Sequence, residues 1–179
     1  MHVSKIDLPQ AKREAVAKML NSELATLIDL QTQCKQAHWN VRGPHFISLH
    51  ELFDKVSGEV ETYVDMTAER IGALGFSANG TLGQVLKHTK LNAYPEEIVD
   101  GNAHVSALST AVAATAKFSR SGIDFADEHG DKVTADLFTE VARGLDQQLW
   151  FWKRICKAIA DLSIRVFCGK KLPAKGEFL

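Results

Sequence analysis

With 179 residues, 45% of them apolar and 24% charged, and only 4 Pro and 12 Gly, the chain has the make-up of a single folded domain with a buried core. These proportions exclude disordered, collagen-like and low-complexity classes. No apolar run approaches the ~20 residues that cross a bilayer, and Met1 to Gln10 lacks the basic and apolar regions of a secretion signal. No membrane association is expected, and the cytoplasm is the expected location. Cys34, Cys156 and Cys168 form no metal-type spacing and are read as reduced thiols. The net charge of -1 hides a division along the chain. Residues 153–179 carry seven Lys and Arg against Asp161 and Glu177, a net +5, which leaves -6 on residues 1–152. The basic end is therefore the part suited to a polyanion.

From Leu8 to about Trp39, apolar residues such as Val16, Leu20, Leu24, Leu27 and Leu30 recur at helical spacing with no internal Pro or Gly. The stretch Asn40-Val-Arg-Gly-Pro44 predicts a reversal, because Pro44 drives the residue before it out of helical geometry. A second helix is expected from about Phe46 to Leu74. Gly75, Asn79, Gly80 and Gly83 then mark a long irregular connection up to Pro95, which is expected to open a third helix ending near Glu128. After His129-Gly130, a fourth helix begins at about Asp131 and carries Val133, Leu137, Val141, Leu145 and Leu149. Strand signals are missing. The expected fold is all-α, a four-helix bundle with one long crossover between the second and third helices, which is the ferritin-like connectivity.

The second helix carries the chemistry. His50 and Asp54 stand four residues apart, as do Asp65 and Glu69, so each pair shares a face. Asp54 and Asp65 point within about 20° of each other around the axis but lie roughly 16 Å apart along it. One helix cannot close all four on a single metal. The four positions are, however, symmetric about a point between Glu59 and Val60, so an antiparallel second copy sets His50 and Asp54 of one chain against Glu69 and Asp65 of the other. Imidazole and carboxylate donors suit iron, zinc or manganese, and His38 is placed to join them. A solvated polar face is the competing explanation of such pairs. His50-Glu51-Leu52-Phe53-Asp54 departs from HExxH in its last ligand, and no His has a Glu three residues before it, which disfavours both a zinc hydrolase and an intrachain di-iron site.

On His38-Trp39-Asn40-Val41-Arg42-Gly43, His50-Glu51-Leu52-Phe53-Asp54, Asp65-Met66-Thr67-Ala68-Glu69-Arg70 and Asp146-Gln-Gln-Leu-Trp150, residues 8 to 152 resemble the Dps family of mini-ferritins, DNA-binding proteins from starved cells. The resemblance implies a homododecameric shell. It implies ferroxidase centres at two-fold interfaces that use His38, His50 and Asp54 of one subunit with Asp65 and Glu69 of its neighbour. It further implies iron oxidation, preferably by hydrogen peroxide, storage of ferric mineral, and in many members DNA protection in the bacterial cytoplasm or nucleoid. Zn2+ is a second metal suited to the same ligands. Trp39 resembles the family's aromatic residue near the centre, with an interface aromatic as the alternative. Asp131, Asp136 and Glu140 resemble the acidic lining of its iron-entry channels, with helix N-terminal acids as the alternative. Glu51 is either a mineral-nucleating or a solvated acid, and His45, His88, His104 and His129 are unassigned.

The departure from the family lies at the carboxyl end. Residues 1–152 are expected to form the Dps domain, and residues 153–179 a basic extension that either lengthens the fourth helix or reaches out as a DNA-binding arm through Arg165, Lys170, Lys171 and Lys175. A nucleoid protein that compacts DNA, with metal binding secondary, is the second functional class.

Overall fold

The computed structural model describes residues 4–168, with side chains through Trp152 and that of Arg154. It holds five helices: α1 Gln10–Asn40, α2 Phe46–Ala73, α3 Leu82–His88, α4 Gly101–Glu128 and α5 Lys132–Cys168. Helices α1 and α2 pack as one antiparallel hairpin and α4 and α5 as the other, with no strand among the described residues. Val16, Leu20, Leu24, Leu27 and Leu30 are all buried, so the helical-period stripe read from the sequence is the core face of α1. Two continuous clusters fill the bundle, one around Leu27, Phe53, Leu108 and Trp152, the other around Leu20, Ile71 and Phe138. At Gly144 the hairpins come so close that a Cβ there would collide with the Tyr63 hydroxyl.

Helices α2 and α4 end by the same device. Gly75 (φ 93°) and Gly130 (φ 78°) take the left-handed conformation, and the next N–H returns to the helix, Phe76 to the Ile71 carbonyl at 3.2 Å and Asp131 to that of Ala126 at 2.9 Å. This closure satisfies carbonyls the helix would leave free, at a φ that favours glycine.

Two expectations need correcting in the crossover. The connection is not wholly irregular, since α3 sits inside it. It is also fastened along α1: Asn79 N–H donates to Asn21, Thr89 Oγ1 to Asp29, Lys90 N–H to Thr26, and the Gln33 amide to the Asn92 carbonyl. The third long helix does not open at Pro95. It starts at Gly101, where the Asp100 carboxylate accepts from the N–H groups of Asn102 and Ala103 at 2.9 and 3.2 Å. Proline merely permits a helix start, whereas an Asp cap satisfies donors that would otherwise be orphaned. At the other end, α5 runs without a break through residue 152 as far as Cys168. Arg165 falls on that helix with its side chain outside those described, and Lys170, Lys171 and Lys175 lie outside the described residues. No described helix is long and apolar enough to cross a membrane.

Candidate metal centre

The reversal between α1 and α2 brings the last turn of one helix against the first turns of the next. There His38 and His50 stack, with ring centroids 3.7 Å apart and planes 20° from parallel. Each ring is held by the other's backbone: His38 Nδ1 lies 2.8 Å from the His50 carbonyl, and His50 Nδ1 lies 2.8 Å from the His38 carbonyl. A carbonyl oxygen only accepts, so Nδ1 carries the proton in both rings and the lone pair of each neutral ring resides on Nε2. Two imidazoles are thus fixed in orientation and tautomer with a metal-binding nitrogen left over, the usual outer-shell preparation of a histidine ligand.

One turn beyond His50, the exposed Asp54 pairs with Lys35, which itself precedes His38 by three residues. The Lys35 ammonium holds the Asp54 carboxyl below the usual carboxylate range. A cation already sits beside this carboxylate in the isolated chain. Lys35 was not among the residues singled out from the sequence, although its spacing from His38 placed it on the same face of α1.

Asp65 and Glu69 are exposed on α2, and neither has an ion-pair partner among the described residues. Within one chain, no three His, Cys, Asp or Glu side chains among the described residues come together in a way that could hold a metal ion. The structure therefore brings His38 and His50 together, places Asp54 one turn along α2 on Lys35, and leaves Asp65 and Glu69 apart. Trp39, beside His38, is 69% exposed in the single chain.

The three acids assigned to an entry channel separate into two kinds. Asp131 is buried, caps α5 by accepting from the Thr134 N–H at 3.0 Å and its hydroxyl at 2.6 Å, and pairs with Arg70 at 2.7 Å. Burial raises the pKa of this carboxyl, but the Thr134 bonds and Arg70 outweigh that and leave it below its ordinary value. Its place is that of the helix N-terminal acid. Asp136 and Glu140, a turn apart on α5, are exposed. The described residues also hold a carboxylate the sequence reading passed over. Glu23 lies fully buried on α1 beside Ser119, and burial pushes its pKa up to about 8.

A hairpin pair joined by a long fastened crossover defines a ferritin-like protein. A ferritin-like domain family matches residues 17–162. The DNA protection during starvation protein of Agrobacterium fabrum is 44% identical over 150 residues, covering 84% of this chain and 93% of that protein. That of Mycolicibacterium smegmatis is 35% identical over 144 residues, 80% of this chain and 78% of the relative. Among solved structures, the tetragonal form of Mycobacterium smegmatis Dps superposes with a TM-score of 0.80 at 34% identity, over 84% of this chain and 91% of that one. The chain belongs to the Dps family within the ferritin-like proteins.

Proposed function

We propose that the protein oxidises ferrous iron at centres shared between two subunits and stores the ferric product inside a closed homododecameric shell. The single observation that carries this reading is the reciprocal lock of His38 and His50, with Nε2 free on both rings and Asp54 one turn away. Asp65 and Glu69 of a two-fold-related copy are proposed to complete the donor set, an arrangement the symmetry of the four α2 positions allows. Neutral imidazole nitrogen accepts Fe2+, and carboxylate oxygens favour Fe3+, so a mixed set binds the substrate and draws it toward the oxidised state. Zn2+ fits the same donors as a redox-inert occupant.

Hydrogen peroxide is the proposed oxidant. Two Fe2+ supply two electrons, and with two protons the peroxide becomes two waters, so no hydroxyl radical is released. Removing both iron and peroxide would protect DNA, the role for which the A. fabrum and M. smegmatis relatives are named. Asp136 and Glu140 are proposed to draw cations toward the interior. DNA contact, if the chain makes it, belongs to Arg165, Lys170, Lys171 and Lys175 in the +5 extension, and such binding should fall steeply with salt as counterions are released.

The test is ferrous oxidation by peroxide on DNA-free protein with a spin trap present. The reading expects rapid iron loss and trapped radical far below that of free iron. A full radical yield in the presence of the assembled protein would overturn it.

A further inference from the structure

Away from the ligands, a half-buried tyrosine paired with a buried histidine has no part in the chemistry above. The Tyr94 hydroxyl, in the crossover, lies 2.7 Å from Nδ1 of His104 on α4. His104 is completely buried, and Phe53 packs at 6.2 Å between centroids. Burial lowers the basicity of the ring and raises the pKa of the phenol well above its ordinary value, so Tyr94 keeps its proton and donates it to a neutral imidazole. Nε2 then bears the ring's own proton. It has no hydrogen-bond partner of good geometry, although the carbonyls of Asn40 and Ile98 lie close enough to raise the ring's basicity, as does the charge of Asp100. Those three groups are suited to a cationic ring.

Tyr94 also reaches the metal-binding region. A cleft of about 510 Å3 is lined by Tyr94, Trp39, Lys35, Gln36 and Thr32, among others. Lys35 is the partner of Asp54, and Trp39 adjoins His38. Tyr94 and Trp39 therefore line one cleft, among residues that adjoin the proposed iron ligands in the chain or contact them.

We propose that Tyr94, with His104 as its proton acceptor, is a one-electron donor that quenches radicals formed when iron and peroxide react one electron at a time. The inference rests on the iron–peroxide reading, which supplies the oxidant. A single Fe2+ reducing peroxide yields Fe3+, hydroxide and hydroxyl radical. The radical takes an electron, directly or through Trp39, and becomes hydroxide, which solvent protonates to water. Tyr94 loses that electron and passes its proton to His104 Nδ1, leaving a neutral phenoxyl beside an imidazolium. A second Fe2+ returns the electron, the proton moves back from His104, and the total is again two Fe2+ per peroxide.

Tyr63 and Tyr94 are the only tyrosines in the chain, which gives a clean control. The full-length protein, carrying ring-deuterated tyrosine, is frozen after mixing with Fe2+ and limiting peroxide, and read by electron paramagnetic resonance. Expected are a tyrosyl signal in wild type and Y63F, its loss in Y94F together with fewer Fe2+ consumed per peroxide, and a weakened, faster-decaying signal in H104Q shells of native size. Normal iron consumption with no tyrosyl signal, or a signal that survives Y94F, overturns the proposal. A second arm uses azide radicals on iron-free protein. A Tyr94 radical there, with no iron oxidation in the first arm, supports the donor pair while rejecting the ferroxidase reading. No Tyr94 radical in this arm overturns the pair itself.

Discussion

Glu23, on α1 against Ser119 of α4, and Asp54, on α2 against Lys35 of α1, carry the same functional group, yet their surroundings make opposite chemistry of it. Glu23 is enclosed in the bundle with no cation paired to it among the described residues, and burial lifts its pKa to about 8. Its contact with Ser119 is 2.5 Å, and Ser119 also lies 3.0 Å from the Thr115 carbonyl. One hydroxyl proton cannot serve both, so protonated Glu23 donates to Ser119, which donates onward to Thr115. Asp54, in contrast, is exposed beside Lys35 and held below its ordinary pKa. The interior thus keeps a neutral acid, whereas the reversal between α1 and α2 keeps an ionised one next to two imidazoles with free lone pairs. A metal centre needs the second kind. In this bundle those groups lie on the surface, where a second copy can close over them.

The largest effect expected concerns Glu23. The unfolded chain ionises this group near 4.5 and the folded chain near 8, so between these values folding retains a proton that unfolding releases. Its contribution is complete below pH ~4.5, falls as pH rises, and is gone above pH ~8, a change on the order of 5 kcal/mol. E23Q, which cannot ionise, should lose that part of the slope, so its stability relative to wild type rises from pH 5 toward pH 8.5 in denaturant titrations. Parallel curves would show that Glu23 is ionised in the fold.

Asp131 sharpens the comparison because it is also buried, yet a cation faces it. D131A removes the Arg70 partner and the α5 cap together and should cost about 3 kcal/mol in the same titrations, since a mostly buried guanidinium is left without its counter-charge. A loss below about 1 kcal/mol, the scale of an exposed pair, would mean that Arg70 turns to solvent.

These two acids also mark what the sequence could express. Long helices were legible because Val16 to Leu30 repeat at the helical period and the Gly-Pro and His-Gly breaks interrupt it. Helix α3 was not, since seven residues with Leu82 and Leu86 exposed carry too little pattern. The His50/Asp54 and Asp65/Glu69 pairs were readable as helical neighbours, and so was the axial gap of roughly 16 Å that keeps them from meeting within one helix. The carbonyl lock on His38 and His50 was not, because it depends on how the end of α1 meets the start of α2. Glu23 did leave a trace: it falls between Leu20 and Leu27 on the core stripe, where an unpaired acid must be neutral.

At the surface region, D65A/E69A should slow peroxide-dependent ferrous oxidation by about 100-fold or more, the scale seen when even outer-shell partners of metal ligands are lost. Both side chains are exposed and without an ion-pair partner among the described residues, so shells should still form, as sedimentation would show. Unchanged kinetics in intact shells would place the iron chemistry elsewhere. Loss of assembly would instead make these acids part of the contact between subunits.

The smallest effect separates two roles for Lys35. In the metal-free chain its ammonium pairs with Asp54, so a metal ion arriving at the two Nε2 atoms meets a competing cation on the carboxylate it needs. K35M keeps most of the aliphatic stem and removes the charge. Asp54 is then free to turn toward the metal, and repulsion of an incoming divalent ion is relieved. Zn2+ titration calorimetry, which avoids redox turnover, should show a few-fold gain in affinity, because both partners are solvent-exposed and exposed ion pairs are weak. The gain should shrink as salt rises, since added ions screen Lys35 in the wild type. A loss of affinity would reverse the assignment: Lys35 would then hold Asp54 in its ligating position, and the exposed carboxylate, like the buried one, would depend on a neighbour for its placement as well as its charge.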